Sequence, residues 1–126
     1  MNKEQFKSLV ADAVESLPEE FQNRLENVDV IVEDLPSDWQ LRKTHLGKGF
    51  TLLGLYEGVP LTGRTTNYGL VPPDKITIFQ KPIEDVCRGG DETEIKKQIR
   101  KTVIHEIAHH FGINDRRLQE IENERG

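Results

Sequence analysis

Apolar residues recur at helical spacing early in the chain and alternate with polar residues further along. Within residues 3–17 the apolar side chains fall three or four positions apart, which predicts an amphipathic helix with one buried face. Pro18 can end this helix and open a second short helix over residues 18–28. β-Branched and partly alternating stretches predict three strands, at residues 28–36, 50–58 and 75–83.

The segments between these elements lack a clear period. Residues 37–49 and 59–74 are therefore predicted to be loops, and Pro82 suggests that the third strand lies at an exposed edge or ends there. The order is helix, helix, three strands, long helix and short helix, with no repeat and no linker. This order predicts one α+β domain over residues 1–126.

The long C-terminal helix has two different faces. Asp91 is a plausible N-cap, and Gly112 is a natural helix end. At about 100° per residue, the apolar side chains between Val103 and Phe111 span an arc of about 140°. His105, Glu106 and His109 fall on the opposite side, within about 100° of one another. A helix that was merely buried would not need this division.

The sequence His-Glu-x-x-His on that polar face is typical of a zinc site. His105 and His109 lie one helical turn apart, so two neutral imidazoles can direct nitrogen atoms at one ion. Glu106 then lies beside the metal and is a candidate general base for an activated water. Chance is a poor explanation for this combination of residues in a chain of 126.

A third protein ligand is expected at a catalytic zinc, and Asp115 is the candidate. The spacing His-Glu-x-x-His-x-x-Gly-x-x-Asp is the metzincin pattern with aspartate in place of the third histidine. Asp115 has an alternative role as the N-cap of a short helix over residues 115–124. We expect His110 to be a packed or surface histidine, and His45 to be a surface residue.

Composition narrows the class of protein. Charged residues make up 31% of the chain, its net charge is −5 and its pI is about 5.4, so no global basic field favours nucleic acid or anionic lipid. Cys87 is the only cysteine, which rules out an intrachain disulfide. Neither a signal peptide nor a membrane-spanning apolar run is found, so a cytoplasmic location is expected.

The motif helix, together with "LLGLYEGVPLTGR" and "ITIFQKPIEDVC", resembles the minimal zincins, a bacterial family of small zincin-like metallopeptidases. The resemblance covers about residues 17–121 and implies a zincin-like fold with a small mixed sheet of three to four strands. It implies Zn²⁺ held by His105, His109 and Asp115, with Glu106 as base. It also implies an edge strand along the active-site helix. The candidate edge is 76–80, where a peptide could add as a further strand. The expected substrate contacts are Ile76, Thr77, Ile78 and Tyr68.

The chain also departs from the larger zinc peptidases. Its only methionine is Met1, so it lacks the methionine turn of true metzincins. Tyr68, Tyr56 and Arg64 are the candidate donors to an oxyanion, and the sequence does not choose among them.

The leading hypothesis is a zinc-dependent peptidase that acts on peptides or unfolded protein segments. The first alternative is a metal-binding or peptide-binding module of the same fold with weak or absent turnover. The second is a metal-dependent ribonuclease, which the acidic charge and the presence of Glu106 disfavour. No nucleic-acid or membrane partner is expected, and the sequence does not predict the oligomeric state.

Overall fold

Six helices and three strands make up the described part of the chain. A computed structural model describes residues 1–44, 52–58 and 72–124. The elements in chain order are α1 (Lys3–Glu15), α2 (Glu19–Arg24), β1 (Val28–Glu33), α3 (Asp38–Thr44), β2 (Gly54–Glu57), β3 (Asp74–Phe79), α4 (Gln80–Val86), α5 (Glu92–Phe111) and α6 (Asp115–Glu124). The predicted α+β class, with a small mixed sheet, is confirmed.

The sheet is mixed, and β3 is its central strand. The strand order in the described residues is β1-β3-β2. β1 runs parallel to β3, with Val28 opposite Asp74 and Glu33 opposite Phe79. β2 runs antiparallel to β3, with Gly54 opposite Ile78. β2 therefore forms one edge of the described sheet, and β1 forms the other.

The core lies between this sheet and the helices α1 and α5. The apolar face of α1 is buried, as the spacing in residues 3–17 predicts. β3 contributes Ile76, Ile78 and Phe79, none of which is accessible to solvent. The buried face of α5 includes Ile95, Ile99, Val103 and Ile107. Burial of apolar surface, at about 25 cal/mol per Å², is the main stabilisation of such a layered domain.

The prediction of a loop over residues 37–49 and the extent of the third predicted strand are both wrong. Residues 38–44 form α3, although the segment shows no apolar period, because Ser37 and Gln40 bond each other's main-chain N–H groups at its start. β3 ends at Phe79, and the rest of the predicted third strand belongs to α4. Pro82 occupies the first turn of α4, where a missing N–H costs nothing. Of the two predicted alternatives for Pro82, the end of the strand is therefore confirmed and the exposed sheet edge is wrong.

No helix in the described ranges is both long enough and apolar enough to cross a membrane.

Candidate metal and catalytic site

The helix that carries the His-Glu-x-x-His motif is fixed at both ends by the residues that the sequence indicates. The Asp91 side chain accepts a hydrogen bond from the Glu94 N–H at 3.0 Å. Gly112 adopts a left-handed conformation with φ 71°, and its N–H and that of Ile113 bond to the Ala108 carbonyl. These caps define α5 as a 20-residue helix that ends just beyond the motif.

The motif residues lie on the solvent side of α5. His105 and His109 are exposed, whereas Ile104, Ile107 and Ala108, on the opposite face of the helix, are buried. Glu106 is half-buried. The predicted division of the helix into an apolar face and a polar face that carries the motif is therefore confirmed, except that Phe111, expected on the apolar face, is exposed.

Glu106 is held by the edge strand of the sheet. The main-chain N–H of Tyr56 donates a hydrogen bond to Glu106 Oε1 at 3.0 Å. Burial raises the pKa of the Glu106 carboxyl, while the Tyr56 N–H and the nearby His109 act to lower it. A half-buried carboxyl with a raised pKa is a better proton acceptor than an exposed one, as a general base requires.

Two clefts meet at Glu106. One has a volume of about 350 Å³ and is lined by residues that include Tyr56, His109 and His110. The other has a volume of about 250 Å³ and is lined by residues that include Gly54, Lys101 and His105. The two clefts lie along β2 on either side of the carboxylate, so an extended ligand could occupy both at once. We refer to them as the His110 cleft and the Lys101 cleft.

A larger cavity, of about 570 Å³, lies between α1 and β1, away from this site. It is lined mainly by aliphatic side chains, and none of the motif residues reaches it. Its size alone does not make it the functional site, because the titratable groups suited to chemistry converge at Glu106.

An aromatic cluster supports the outer face of the His110 cleft. The imidazole of His110 stacks on the Tyr56 ring, with ring centroids 3.9 Å apart and planes inclined by 15°. Phe111 contacts both rings edge-on, and the Arg24 guanidinium lies 4.8 Å from the Phe111 centroid. His110 is thus an exposed histidine that packs on Tyr56, in agreement with the prediction of a packed or surface residue, and it joins β2 to the end of α5.

The Tyr56 hydroxyl is bonded to the first residue of the central strand. It donates a hydrogen bond to Asp74 Oδ2 at 2.7 Å. Burial and this carboxylate raise the pKa of the Tyr56 phenol well above its usual range, so the hydroxyl stays protonated. Of the three predicted oxyanion donors, Tyr56 is therefore committed to Asp74, and Arg64 and Tyr68 lie outside the described residues. His45 lies outside them as well.

The predicted edge strand is wrong. β3 pairs with β1 on one side and with β2 on the other, so the main chain of 76–79 is not open to an added peptide. Ile76, Thr77 and Ile78 are fully buried, which removes their side chains from contact with a substrate. Three consecutive buried residues are typical of a central strand with both faces covered. β2 is the strand that lies along the motif helix.

Asp115 is the first residue of α6, and it does not cap that helix. The cap is Asn114, whose side chain accepts a hydrogen bond from the Arg117 N–H at 2.8 Å. The alternative role for Asp115 is therefore wrong. The Asp115 side chain itself lies outside the described part of the structure, so its role as a ligand stays a prediction.

The donor set fits zinc as far as the described residues extend. His105 and His109 supply two exposed imidazoles one helical turn apart, the donors that zinc prefers. Within the described ranges, no group of three or more His, Cys, Asp or Glu side chains is placed to hold one ion. The predicted third ligand, Asp115, is not among the described side chains.

These features define a zincin-like α+β domain, with a motif helix packed beside a mixed sheet. A model of the zincin-like metallopeptidase family matches residues 25–125, so the chain belongs to that family. A solved structure of a conserved hypothetical protein from Thermus thermophilus is similar, with a TM-score of 0.54 and 26% sequence identity over 88% of this chain and 94% of the other. No curated protein matches the chain significantly.

Sequence reasoning missed two features of the site. The main-chain bond from Tyr56 to Glu106 joins residues 50 positions apart, and a main-chain donor has no signature in side-chain identity. Lys101 was also missed as a neighbour of the motif. Its position four residues before His105 was the available signal, because residues at that spacing share a helix face.

Proposed function

We propose that this protein is a zinc-dependent peptidase that hydrolyses peptides or unfolded protein segments. The observation that carries the proposal is the position of Glu106. Its half-buried carboxylate lies between two exposed histidines of the motif, receives the Tyr56 N–H, and stands where two clefts meet. Membership of the zincin-like metallopeptidase family supports the same conclusion.

His105, His109 and Asp115 would hold the zinc ion. When bound, zinc supplies Lewis acidity that polarises a peptide carbonyl and lowers the pKa of water. Gly112 allows the chain to turn directly after α5, and this turn would bring Asp115 back toward the motif. Two neutral imidazoles and one carboxylate are a ligand set that known catalytic zinc sites use.

Glu106 would move the proton. Its carboxylate takes a proton from the attacking water and returns it to the nitrogen of the leaving amine. The Tyr56 N–H bonds to Oε1 only, which leaves Oε2 to accept that proton. The raised pKa of the carboxyl favours the transfer, since a more basic carboxylate accepts a proton more readily.

The outer edge of β2 would bind the peptide main chain. Leu53 accepts a hydrogen bond from the Phe79 N–H, so Leu53 and Leu55 face β3. The C=O groups of Gly54 and Tyr56 and the N–H of Gly54 consequently point toward the outer edge, whereas the Tyr56 N–H, on the same side, is already bonded to Glu106. A peptide added there would pass Glu106 and extend into both clefts.

The test combines metal content with cleavage of a peptide library. Wild-type protein loaded with zinc is expected to bind about one ion per chain, and His105→Ala or His109→Ala to lose it. Glu106→Gln keeps the size of the side chain but removes the proton acceptor. It should retain zinc and the fold while turnover falls by about 100-fold or more.

Three results would contradict parts of the proposal. Stoichiometric zinc in the double alanine variant of His105 and His109 would refute the ligand assignment. Equal cleavage by wild type and Glu106→Gln would refute the base. If the zinc-loaded wild type binds peptides but cleaves none, the protein is a binding module of the same fold.

A further inference from the structure

The motif helix carries a concentration of positive charge directly before the proposed zinc ligands. Four of the 17 Lys and Arg residues of this acidic chain lie within residues 96–101. We call these residues the basic cluster: Lys96, Lys97, Arg100 and Lys101. The basic cluster stands out in a chain of net charge −5, which raises the question of which ligand its positive charge could bind.

Lys101 is the member of the basic cluster that reaches the proposed active site. It is exposed and lines the Lys101 cleft together with His105 and Glu106. It also borders a second hollow with Lys97 and Arg100. Neither Lys97 nor Lys101 forms an ion pair with a carboxylate in the described part of the chain. The charge of Lys101 is therefore available to a ligand in the cleft.

β2 and α5 run in the same direction past Glu106. A Cβ atom added at Gly54 would lie 2.7 Å from Cγ2 of Thr102, whereas one at Gly58 would lie 3.5 Å from Cε1 of His110. The start of β2 is thus beside the Lys101 cleft, and its end is beside the His110 cleft. Antiparallel pairing is more stable per residue than parallel pairing, so a peptide on β2 would run from the His110 cleft to the Lys101 cleft.

We propose that Lys101 selects peptides that carry a carboxylate on the C-terminal side of the cleaved bond. Lys101 lies one turn before His105, about 6 Å away between Cβ atoms, and its side chain leans toward the start of the helix. An extended peptide advances by about 3.4 Å per residue. The ammonium group therefore meets a group about two or three residues beyond the bond. This inference rests on the proposed function, since it takes the cleaved bond to lie at Glu106.

Two sources supply a carboxylate at that place. One is the side chain of Asp or Glu within a longer peptide, and the other is the terminal carboxylate of a short one. The chemistry of recognition is the same, because both offer a charged oxygen pair to the ammonium group. The first source makes the protein an endopeptidase with an acidic preference, and the second makes it a trimmer of C-terminal ends.

The test measures peptide binding as well as cleavage. A single glutamate is moved one position at a time along a neutral peptide with an amidated C-terminus, and glutamine at the same position is the reference. A third series has glutamine and a free C-terminal carboxylate. Affinity for zinc-loaded Glu106→Gln is measured by fluorescence anisotropy, and cleavage by zinc-loaded wild type is mapped on the same peptides.

Glutamate, the free C-terminus or both should bind about two- to fivefold more tightly than the reference when placed in the C-terminal part of the peptide. The gain should shrink at high salt. Lys101→Gln, made in the same background, should abolish it. Lys96→Gln is the matched control, because Lys96 lies about 140° around the helix and lines neither cleft. This control should keep the preference.

Several outcomes would overturn the proposal. The affinity gain could be missing at every position, or be lost equally in Lys96→Gln, or appear only for carboxylates in the N-terminal part of the peptide. Displacement of the peptide by a single-stranded oligonucleotide, without any glutamate preference, would assign the basic cluster to phosphate. Failure of the wild type to cleave any peptide would refute the proposed peptidase function alone, because the anisotropy experiment decides the role of Lys101 independently.

Discussion

The main-chain N–H of Tyr56 donates to Glu106 Oε1 at 3.0 Å, and this bond joins the edge strand of the sheet to the centre of the motif helix. It binds Oε1 of the carboxylate of Glu106, the residue at which the two clefts meet. Because Tyr56 is itself held by His110 and Asp74, the direction of the Glu106 carboxylate depends on three separate elements. A small displacement of β2 should therefore alter the site without touching the motif.

Gly54→Ala is expected to produce that displacement. The new Cβ would lie 2.7 Å from Cγ2 of Thr102, which is buried and β-branched and therefore cannot easily move aside. Overpacking of this kind should lower the free energy of unfolding by about 1–3 kcal/mol. It should also reduce kcat, because the Tyr56 N–H moves away from Glu106. Chemical denaturation and steady-state kinetics measure the two effects.

Gly58→Ala is the matched control for this substitution. Its Cβ would make an ordinary contact, 3.5 Å from Cε1 of His110. Stability should change by less than about 0.5 kcal/mol, and turnover should stay close to that of wild type. Equal effects of the two substitutions would show that the close approach of β2 to α5 is not what positions Glu106.

The raised pKa of Glu106 predicts how the metal-free protein responds to pH. A carboxyl whose pKa is higher in the folded than in the unfolded chain contributes stability that is fully present below its ordinary value of 4.5. That contribution is lost as pH rises through the folded pKa.

Glu106→Gln should therefore make the metal-free protein more stable than wild type at pH 7, and the difference should disappear on acidification through the carboxyl range. Urea denaturation in the presence of a chelator measures both. A variant that is less stable at pH 7 would show that the carboxylate form is favoured by folding.

Tyr56→Phe tests the role of the Tyr56 hydroxyl separately from that of the Tyr56 main-chain N–H. The substitution removes the hydrogen bond to Asp74 but keeps the ring that stacks on His110. We expect a loss of stability of about 0.5–1.5 kcal/mol, unchanged zinc content and turnover within a few-fold of wild type. A fall in kcat of about 100-fold with the fold intact would mean instead that the hydroxyl stabilises the oxyanion.

The parts of the fold that could be predicted are those whose local pattern and tertiary burial agree. The caps of α5 and its two faces follow from Asp91, Gly112 and the spacing of the apolar residues. The position of β3 in the sheet was not predictable in this way. Ile76, Thr77 and Ile78 have the composition of any buried strand, and the strand order depends on contacts between distant residues.

In the site, too, local spacing predicts some features, whereas others depend on contacts between distant residues. His105, Glu106 and His109 are neighbours along one helix, so the spacing alone places them together. The partner of Glu106 could not be found from the sequence, because it is a main-chain group of a strand 50 residues away. Pro82 misled the prediction for a related reason: proline ends a strand and begins a helix equally well, and only the chain that follows decides.

Asp115 and Asn114 provide the last prediction, because they are adjacent in sequence but are expected to do different work. Asn114 caps α6 through its bond from the Arg117 N–H, so Asn114→Ala should lower the free energy of unfolding by about 1 kcal/mol and leave zinc content unchanged. Asp115→Ala should instead lower the affinity for zinc and leave the stability of the metal-free protein unchanged. As a ligand, Asp115 contributes to the affinity for zinc, so the variant should lose at least tenfold in zinc affinity. Its metal-free stability should stay near that of wild type. Competition with a chromogenic chelator measures the affinity, and denaturation of the metal-free proteins measures the stability. Should both variants retain wild-type zinc affinity, the third ligand is another side chain.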